Sequence, residues 1–144
     1  MGQTIGEEIM NLEELGNFPV KGEDAREKPV KFFHITRNKM LRTIQGKTHP
    51  IPLTFYVSND LIHMGEFLIP PGGEGVRASE EDKHLGDEAM YAEVGPIVVF
   101  FPDTGETFEV MDGETLYIPE GLKHQYMNYS SKVIKGIFAI APKL

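Results

Sequence analysis

The pattern of hydrophobic and polar positions along the chain changes once, near Pro50. From there onward, short runs of branched and aromatic residues alternate with turn segments that contain Gly, Pro, Asn or Asp, which is the pattern of a β-sandwich or β-barrel. The pattern predicts eight strands, at residues 53–57, 61–69, 88–94, 97–101, 107–111, 115–118, 124–129 and 133–141. The sequence therefore predicts an all-β barrel or jelly roll, since closing the sheet also removes exposed strand edges.

The first third of the chain is mixed in character. Four apolar residues recur at helical spacing near its start: Ile5, Ile9, Leu12 and Leu15. They predict a short amphipathic helix over residues 6–15 that ends at Gly16, and the charged segment 21–28 is typical of an exposed loop. The sequence thus divides into an N-terminal extension at residues 1–48, helical or irregular, and a barrel at residues 49–144.

Length and charge restrict the class of protein. A chain of 144 residues is about one domain, and 40% hydrophobic with 25% charged residues is the balance of a globular fold. The net charge of −8 repels phosphate backbones and anionic lipid headgroups, so neither nucleic acid nor a membrane is expected as a partner. No apolar run approaches the ~20 residues of a transmembrane helix.

The absence of cysteine narrows the chemistry. With no Cys in the sequence, disulfides, cysteine zinc sites, iron–sulfur clusters and thiol nucleophiles are excluded, and any metal site must use His, Asp or Glu. The start of the chain also lacks the basic and then apolar layout of a secretory signal. Together these features favour a cytoplasmic location.

The most informative segment is GETLYIPEGLKHQYMN. It holds five residues at fixed spacings: Gly113, Pro119, Gly121, His124 and Asn128. Gly113 permits a turn into one strand, Pro119 and Gly121 form a tight reversal, and the next strand begins at His124. Alternation along that strand places His124 and Tyr126 on one face. The segment resembles the second sequence motif of the cupin superfamily at all five positions.

An upstream segment resembles the first cupin motif in part. That motif has two His one residue apart, a Glu about four residues later and a Gly seven residues beyond. His84, Glu88 and Gly95 match this spacing, whereas Asp82 occupies the position of the first His. In an extended chain Asp82, His84 and Glu88 point the same way, because successive side chains alternate between the two faces.

The resemblance implies a metal site inside the barrel, held by His84, Glu88 and His124. Asp82 is a further ligand, a partner of a ligand or a surface charge. Two imidazoles and one carboxylate leave coordination positions open for a substrate oxygen, water or dioxygen. The donor set favours one divalent transition metal, with Fe(II) or Mn(II) preferred over Zn, Ni or Cu. Loss of the first His is also consistent with a cupin that holds no metal.

The resemblance further implies a small-molecule site in the barrel. The expected activity is metal-dependent conversion of a small polar organic compound, with oxygenase chemistry preferred over isomerisation, decarboxylation or elimination, since one fold hosts all of these reactions. Tyr126 or the Asp82 carboxylate is the candidate catalytic group that moves the proton. The alternative is a ligand-binding or sensor protein that captures a small molecule, with or without metal, and does not transform it.

Cupins usually pair through their barrels, so the resemblance implies a homodimer. Apolar residues of the extension that are candidates for a strand covering that interface are Ile35, Leu41 and Ile44. Two aromatic pairs are interpreted as core or subunit-contact residues: Phe32-Phe33 and Phe100-Phe101. His63 and Glu66 lie on opposite faces of one predicted strand, and the sequence leaves open which of them enters the cavity.

Overall fold

The computed structural model describes residues 17–45, 50–75 and 85–144. Its helical elements are one turn, α1 (Gly22–Ala25), and a short 3-10 segment (Arg37–Lys39). Its strands are β1 (Leu41–Gln45), β2 (Ile51–Ser58), β3 (His63–Ile69), β4 (Asp87–Val94), β5 (Ile97–Phe101), β6 (Glu106–Val110), β7 (Thr115–Ile118), β8 (Gln125–Met127) and β9 (Ile134–Ala141). All eight predicted strands are present with ends shifted by at most two residues, so the predicted all-β fold is confirmed.

The strands form two antiparallel sheets. Six lie in the order β1-β2-β3-β9-β4-β7 and three in the order β6-β5-β8. From β4 onward the chain crosses repeatedly between the sheets: β5 and β6 lie in the smaller one, β7 in the larger, β8 in the smaller and β9 in the larger. This connectivity is that of a jelly roll, and it brings strands that are distant in sequence onto one core.

The core lies between the inner faces of the two sheets. Alternate residues of β2, β3, β4 and β9 are buried, as the period of two along a strand requires. Phe67 of β3 stacks on Tyr126 of β8 with ring centroids 5.1 Å apart, which joins the two sheets. Gly136 of β9 leaves room for this ring, because a Cβ there would lie 2.3 Å from Phe67.

The N-terminal extension contributes a strand to the barrel. β1 pairs antiparallel with β2, with Leu41 opposite Phe55 and Ile44 opposite Pro52. The sequence favoured such a strand at a subunit interface, and within the chain itself the strand lies at the edge of the six-stranded sheet. Strands that follow one another closely in sequence usually become neighbours in the sheet. The sheet therefore begins upstream of residue 49.

Two other expectations concern the extension. The predicted helix at residues 6–15 lies outside the described residues. Segment 21–28 is mostly exposed, but the predicted loop is wrong at α1, where Arg26 Nη1 donates to Gly22 O at 2.8 Å. A single turn is too short to show a helical hydrophobic period. Among the described residues, no helix has the length and apolar character needed to cross a membrane.

The extension is fastened at the end of β2. The backbones of Phe18 and Ser58 exchange two hydrogen bonds of 2.6 Å, and Asn59 Nδ2 donates to Val20 O at 3.2 Å. Residues 17–20 are thus held beside β2, and β1 is held by its own pairing. The segment between these two points includes residues 28–36, which have no regular secondary structure.

Candidate metal centre

Two of the predicted metal ligands meet inside the barrel. Glu88 lies near the start of β4, and His124 directly precedes β8 in the other sheet. Their side chains are 3% and 1% exposed, and Nε2 of His124 lies 3.1 Å from Oε1 of Glu88. A carboxylate at this depth is costly without a compensating charge or hydrogen bond. The contact with the imidazole therefore stabilises Glu88 only when a proton or a cation lies between the two side chains.

The hydrogen bonds of the His124 ring determine which ring nitrogen carries a proton and which one has a free lone pair. Nδ1 lies 2.9 Å from the carbonyl oxygen of Leu122, and a carbonyl oxygen only accepts hydrogen bonds, so Nδ1 carries the proton. In the neutral ring, Nε2 then directs its lone pair toward the Glu88 carboxylate. Two electron-rich atoms 3.1 Å apart repel each other unless a proton or a metal cation accompanies them. Donation of the second ring N–H to a backbone carbonyl is also how metal-binding histidines are oriented.

Glu88 enters the core because of its position in β4. Glu88, Met90 and Ala92 are buried, whereas the residues between them are exposed or half-buried. In the sheet Glu88 lies between Ile118 of β7 and Ile140 of β9. These apolar neighbours lower the local dielectric, and a bound cation interacts more strongly with the carboxylate there than it would in water.

Asp87, the residue before Glu88, holds the turn that precedes His124. Its exposed carboxylate accepts hydrogen bonds from the Tyr117 hydroxyl and from the Glu120 backbone N–H, the latter at 2.9 Å. The hydrogen bond from Tyr117 holds the pKa of Asp87 below its ordinary value and raises the pKa of Tyr117. Neighbouring residues of β4 thus act on both faces of the sheet: Glu88 contacts His124 inside, and Asp87 fixes the turn outside. The sequence analysis did not identify Asp87 as a residue that positions the site. The one sequence signal for this role was that Asp87 directly precedes the predicted ligand Glu88.

The other residues of the second motif shape the backbone. Gly113 and Gly121 have φ angles of 84° and 80°, in the left-handed region that favours glycine. Asn128 is fully buried, and its Nδ2 donates to Ile69 O at 2.8 Å and to Lys132 O at 2.7 Å. Asn128 therefore joins the end of β8 to the end of β3 and to the turn before β9.

Tyr126 lies on the same inner face as His124, as alternation predicted. Their ring centroids are 5.3 Å apart in an edge-to-face arrangement. Tyr126 also stacks on Phe67, which in turn stacks on Phe138 with centroids 6.5 Å apart. We refer to Phe67, Tyr126 and Phe138 as the aromatic wall. All three rings are buried in the core beside the polar pair.

The remaining two predicted ligands, Asp82 and His84, lie outside the described residues. Within residues 17–45, 50–75 and 85–144, no group of three or more His, Asp or Glu side chains is placed to hold a metal ion. The described part of the centre thus supplies one imidazole and one carboxylate. A centre of the predicted composition requires His84 in addition.

His63 points inward and Glu66 outward, which answers the question left open by the sequence. Nε2 of His63 donates to Pro142 O at 3.1 Å, and Ser58 Oγ donates to Nδ1 at 2.7 Å. Glu66 lies on the outer face of the sheet and accepts a hydrogen bond from the Tyr56 hydroxyl at 2.8 Å. His63 is therefore a structural link between β2, β3 and the segment that follows β9.

We expect His63 to make the free energy of unfolding fall as the pH drops below about 6.5, the ordinary pKa of histidine. Burial disfavours the imidazolium and lowers the pKa of His63 in the folded state. The unfolded chain then binds a proton in a range where the folded chain does not, so stability is lost as the pH falls through that range. Thermal melts of wild type and His63→Gln from about pH 8 to pH 5 test this. Wild type should lose more stability than the variant, and equal losses would contradict the expectation.

The sequence matches no protein-family model and no curated protein. The structure is similar to solved cupins. A cupin domain from Bordetella pertussis Tohama I is 22% identical, with a TM-score of 0.53 over 67% of this chain and 94% of that chain. The polyketide cyclase RemF from Streptomyces resistomycificus is 18% identical, with a TM-score of 0.58 over 77% and 80%. A sugar phosphate isomerase of the cupin superfamily from Silicibacter pomeroyi is 14% identical, with a TM-score of 0.57 over 76% and 75%.

The chain therefore has the cupin fold. The resemblance that the motif residues indicated is confirmed at the level of architecture. Sequence identities of 14–22% to these structures establish the fold but not the reaction, because one fold hosts many unrelated activities.

Proposed function

We propose that this chain is a metal-dependent cupin that converts a small polar organic molecule inside the barrel. Glu88 and His124 hold one divalent transition metal together with His84, and Asp82 serves as a further ligand or as a proton acceptor. The buried pair carries the proposal: His124 donates Nδ1–H to Leu122 O and turns Nε2 toward a carboxylate oxygen 3.1 Å away. Such an arrangement suits a cation that takes nitrogen and oxygen ligands.

The donor types favour Fe(II) or Mn(II). Imidazole and carboxylate ligands without any thiolate suit these ions, and Zn, Ni and Cu are the weaker candidates. When bound, such a metal supplies Lewis acidity that polarises a substrate oxygen.

The chain's own residues supply orientation, exclusion of water and proton transfer. The Leu122 carbonyl holds the His124 ring in one orientation. The aromatic wall covers the apolar part of a substrate and keeps water from the buried pair. Tyr126, whose ring contacts His124, is the candidate for proton transfer among the described residues.

Oxygenase chemistry is our first expectation for the reaction, ahead of isomerisation, decarboxylation and elimination. A set of two imidazoles and one carboxylate is the facial arrangement of non-haem Fe(II) oxygenases. Two of the similar structures are named as a polyketide cyclase and a sugar phosphate isomerase. Both names are those of enzymes that act on small molecules, which supports such an activity for a barrel of this kind. The two activities differ, so they do not indicate which reaction this chain catalyses.

A second candidate is a ligand-binding or sensor protein. Asp82 stands where the first cupin motif has a His, and this exchange removes one imidazole from the expected ligand set. A protein that keeps the aromatic wall and binds no metal would hold a small molecule without transforming it.

Metal content tests the proposal. Protein stripped with a chelator is reloaded separately with Fe(II) and Mn(II) under anaerobic conditions, and with Zn, Ni and Cu, and the metal per chain is measured by mass spectrometry after buffer exchange. We expect about one ion per chain for Fe(II) and for Mn(II). A folded protein that retains none of the five metals would overturn the proposal and favour the binding protein.

A further inference from the structure

The segment that follows β9 turns into the end of the barrel. Residues 142–144 lie outside the strands, yet the Leu144 side chain is 7% exposed and belongs to the hydrophobic core. The carbonyl oxygen of Pro142 accepts a hydrogen bond of 3.1 Å from Nε2 of His63. One buried side chain and one hydrogen bond thus hold residues 142–144, which we call the closing segment, against the barrel.

The closing segment crosses the barrel beside the buried pair. Gly86 and Glu88 are both buried, whereas the residue between them is exposed, so Gly86 is the inward-facing position next to Glu88. A Cβ at Gly86 would lie 2.5 Å from Ala141 O and 2.7 Å from Lys143 O. A glycine there permits this close approach of the backbone. Because Glu88 also contacts His124, the closing segment covers the end of the barrel at which the pair lies.

The register of the sheet places His63 in the same row as Glu88. Ile140 of β9 pairs with His63 on one side and with Glu88 on the other. Two strand spacings of about 4.8 Å put the Cα atoms of His63 and Glu88 roughly 10 Å apart. The hydrogen bond that holds the closing segment is therefore made in the same layer of the barrel as the buried pair.

A metal ion or a small molecule needs a route to this pair. The side chains of Glu88 and His124 are 3% and 1% exposed, so the described structure encloses them. Movement of β4, β7 or β9 would break the hydrogen-bonded ladder of the six-stranded sheet. Movement of the closing segment breaks the His63 hydrogen bond and exposes Leu144. Local openings occur where few buried contacts are lost, which favours the closing segment over the strands.

We propose that the closing segment is a gate over the buried pair, and that metal and substrate reach Glu88 and His124 when it moves away from the barrel. Packing of Leu144 in the core and the hydrogen bond from His63 keep it closed. The inference rests on the proposed function for the identity of what enters. The movement itself requires no metal.

Introduced cysteines measure the opening, since the chain has none of its own. Ile118→Cys places a thiol beside the pair, because Ile118 pairs with Glu88 and is 1% exposed. Ile134→Cys is the matched reporter at the far end of β9, about 20 Å from Ile140 at ~3.4 Å per residue. Both proteins are stripped of metal with a chelator, and the rate of modification by methyl methanethiosulfonate is measured under native conditions.

The gate variants are made in both reporter proteins. Leu144→Ser should raise the modification rate at position 118 at least about tenfold, because loss of a buried leucine favours the open segment. Gly86→Ala should raise this rate as well, because its Cβ displaces the closing segment. Lys143→Ser is the control, since it alters an exposed side chain of the same segment and should leave the rate unchanged. Neither gate variant should change the rate at position 134.

The gate is overturned if folded variants at both Leu144 and Gly86 leave the rate at position 118 unchanged. It is also overturned if they raise the rates at positions 118 and 134 by the same factor, since that result reports unfolding of the whole barrel. Circular dichroism checks that each variant is folded.

Release of Mn(II) separates the gate from the proposed function. In protein loaded with Mn(II), Leu144→Ser should speed release to an excess of chelator about tenfold, as it does for the thiol, and Lys143→Ser should not. Release that Leu144→Ser leaves unchanged would contradict the gate while the metal site stands. A protein that takes up no metal but shows the expected thiol rates would contradict the proposed metal site while the gate stands.

Discussion

Replacing His124 with alanine is expected to abolish metal retention. The substitution removes the buried ring whose Nε2 lies 3.1 Å from Glu88. Loss of a hydrogen-bond partner of a ligand already costs about 10–100-fold in metal affinity, and loss of the ligand itself costs more. The metal per chain, measured by mass spectrometry after dialysis, should fall from about one to background.

Two further variants make this result interpretable. His34→Ala is the matched control, since it removes an exposed imidazole and should retain the metal. Glu88→Gln keeps the shape of the second ligand, removes its charge and should also lose the metal. Circular dichroism checks that each variant is folded. A folded His124→Ala protein that still holds one metal ion per chain would contradict the assignment of His124 as a ligand.

Replacing Phe67 with alanine is expected to lower the free energy of unfolding by about 3–5 kcal/mol, the usual cost of truncating a buried aromatic residue. The Phe67 ring is 4% exposed and stacks on both Tyr126 and Phe138. For a chain of this size the loss corresponds to a fall in Tm of roughly 10–16 °C. Chemical denaturation measures the free energy directly. Tyr129→Ala, at an exposed aromatic position, should cost less than about 1 kcal/mol.

A second substitution tests the contact that makes Phe67 important. A Cβ at Gly136 would lie 2.3 Å from the Phe67 ring, so Gly136→Ala should cost about 1–3 kcal/mol in wild type through overpacking. In the Phe67→Ala background the added methyl enters the vacated space, and the cost should be smaller. If the stability losses of Phe67→Ala and Gly136→Ala were strictly additive in the double variant, the methyl at position 136 would contact a group other than the Phe67 ring.

The strands were predictable because their signals are local. The ends of β5 and β7 agree with the predicted ends to the residue, because a short run of branched and aromatic residues between turn residues marks each strand. Gly113 and Gly121 adopt the left-handed φ angles that their turns require. The helical turn α1 was missed because four residues are too few for a hydrophobic period. The helix expected at residues 6–15 stays a prediction. The metal-ligand roles of Asp82, His84, Glu88 and His124 stay predictions as well.

Contacts between side chains on different strands were less predictable, because they depend on the register in which the strands pair. Alternation put His63 and Glu66 on opposite faces, but the inward face became known only with the pairing of β3 and β9. The role of Asp87 depends on the turn that β7 brings beside β4. The sequence around Asp87 contains no pattern that predicts which turn its carboxylate contacts.

By itself, the sequence determined an all-β chain without thiol chemistry, with motif residues at cupin spacings. Only the tertiary structure decided that Glu88 and His124 lie 3.1 Å apart with Nδ1 committed to a carbonyl, and that Phe67 joins the two sheets. The physical reason is that strand period and turn chemistry act over a few residues. Contacts between sheets are set by long-range pairing and packing, which depend on the whole chain at once.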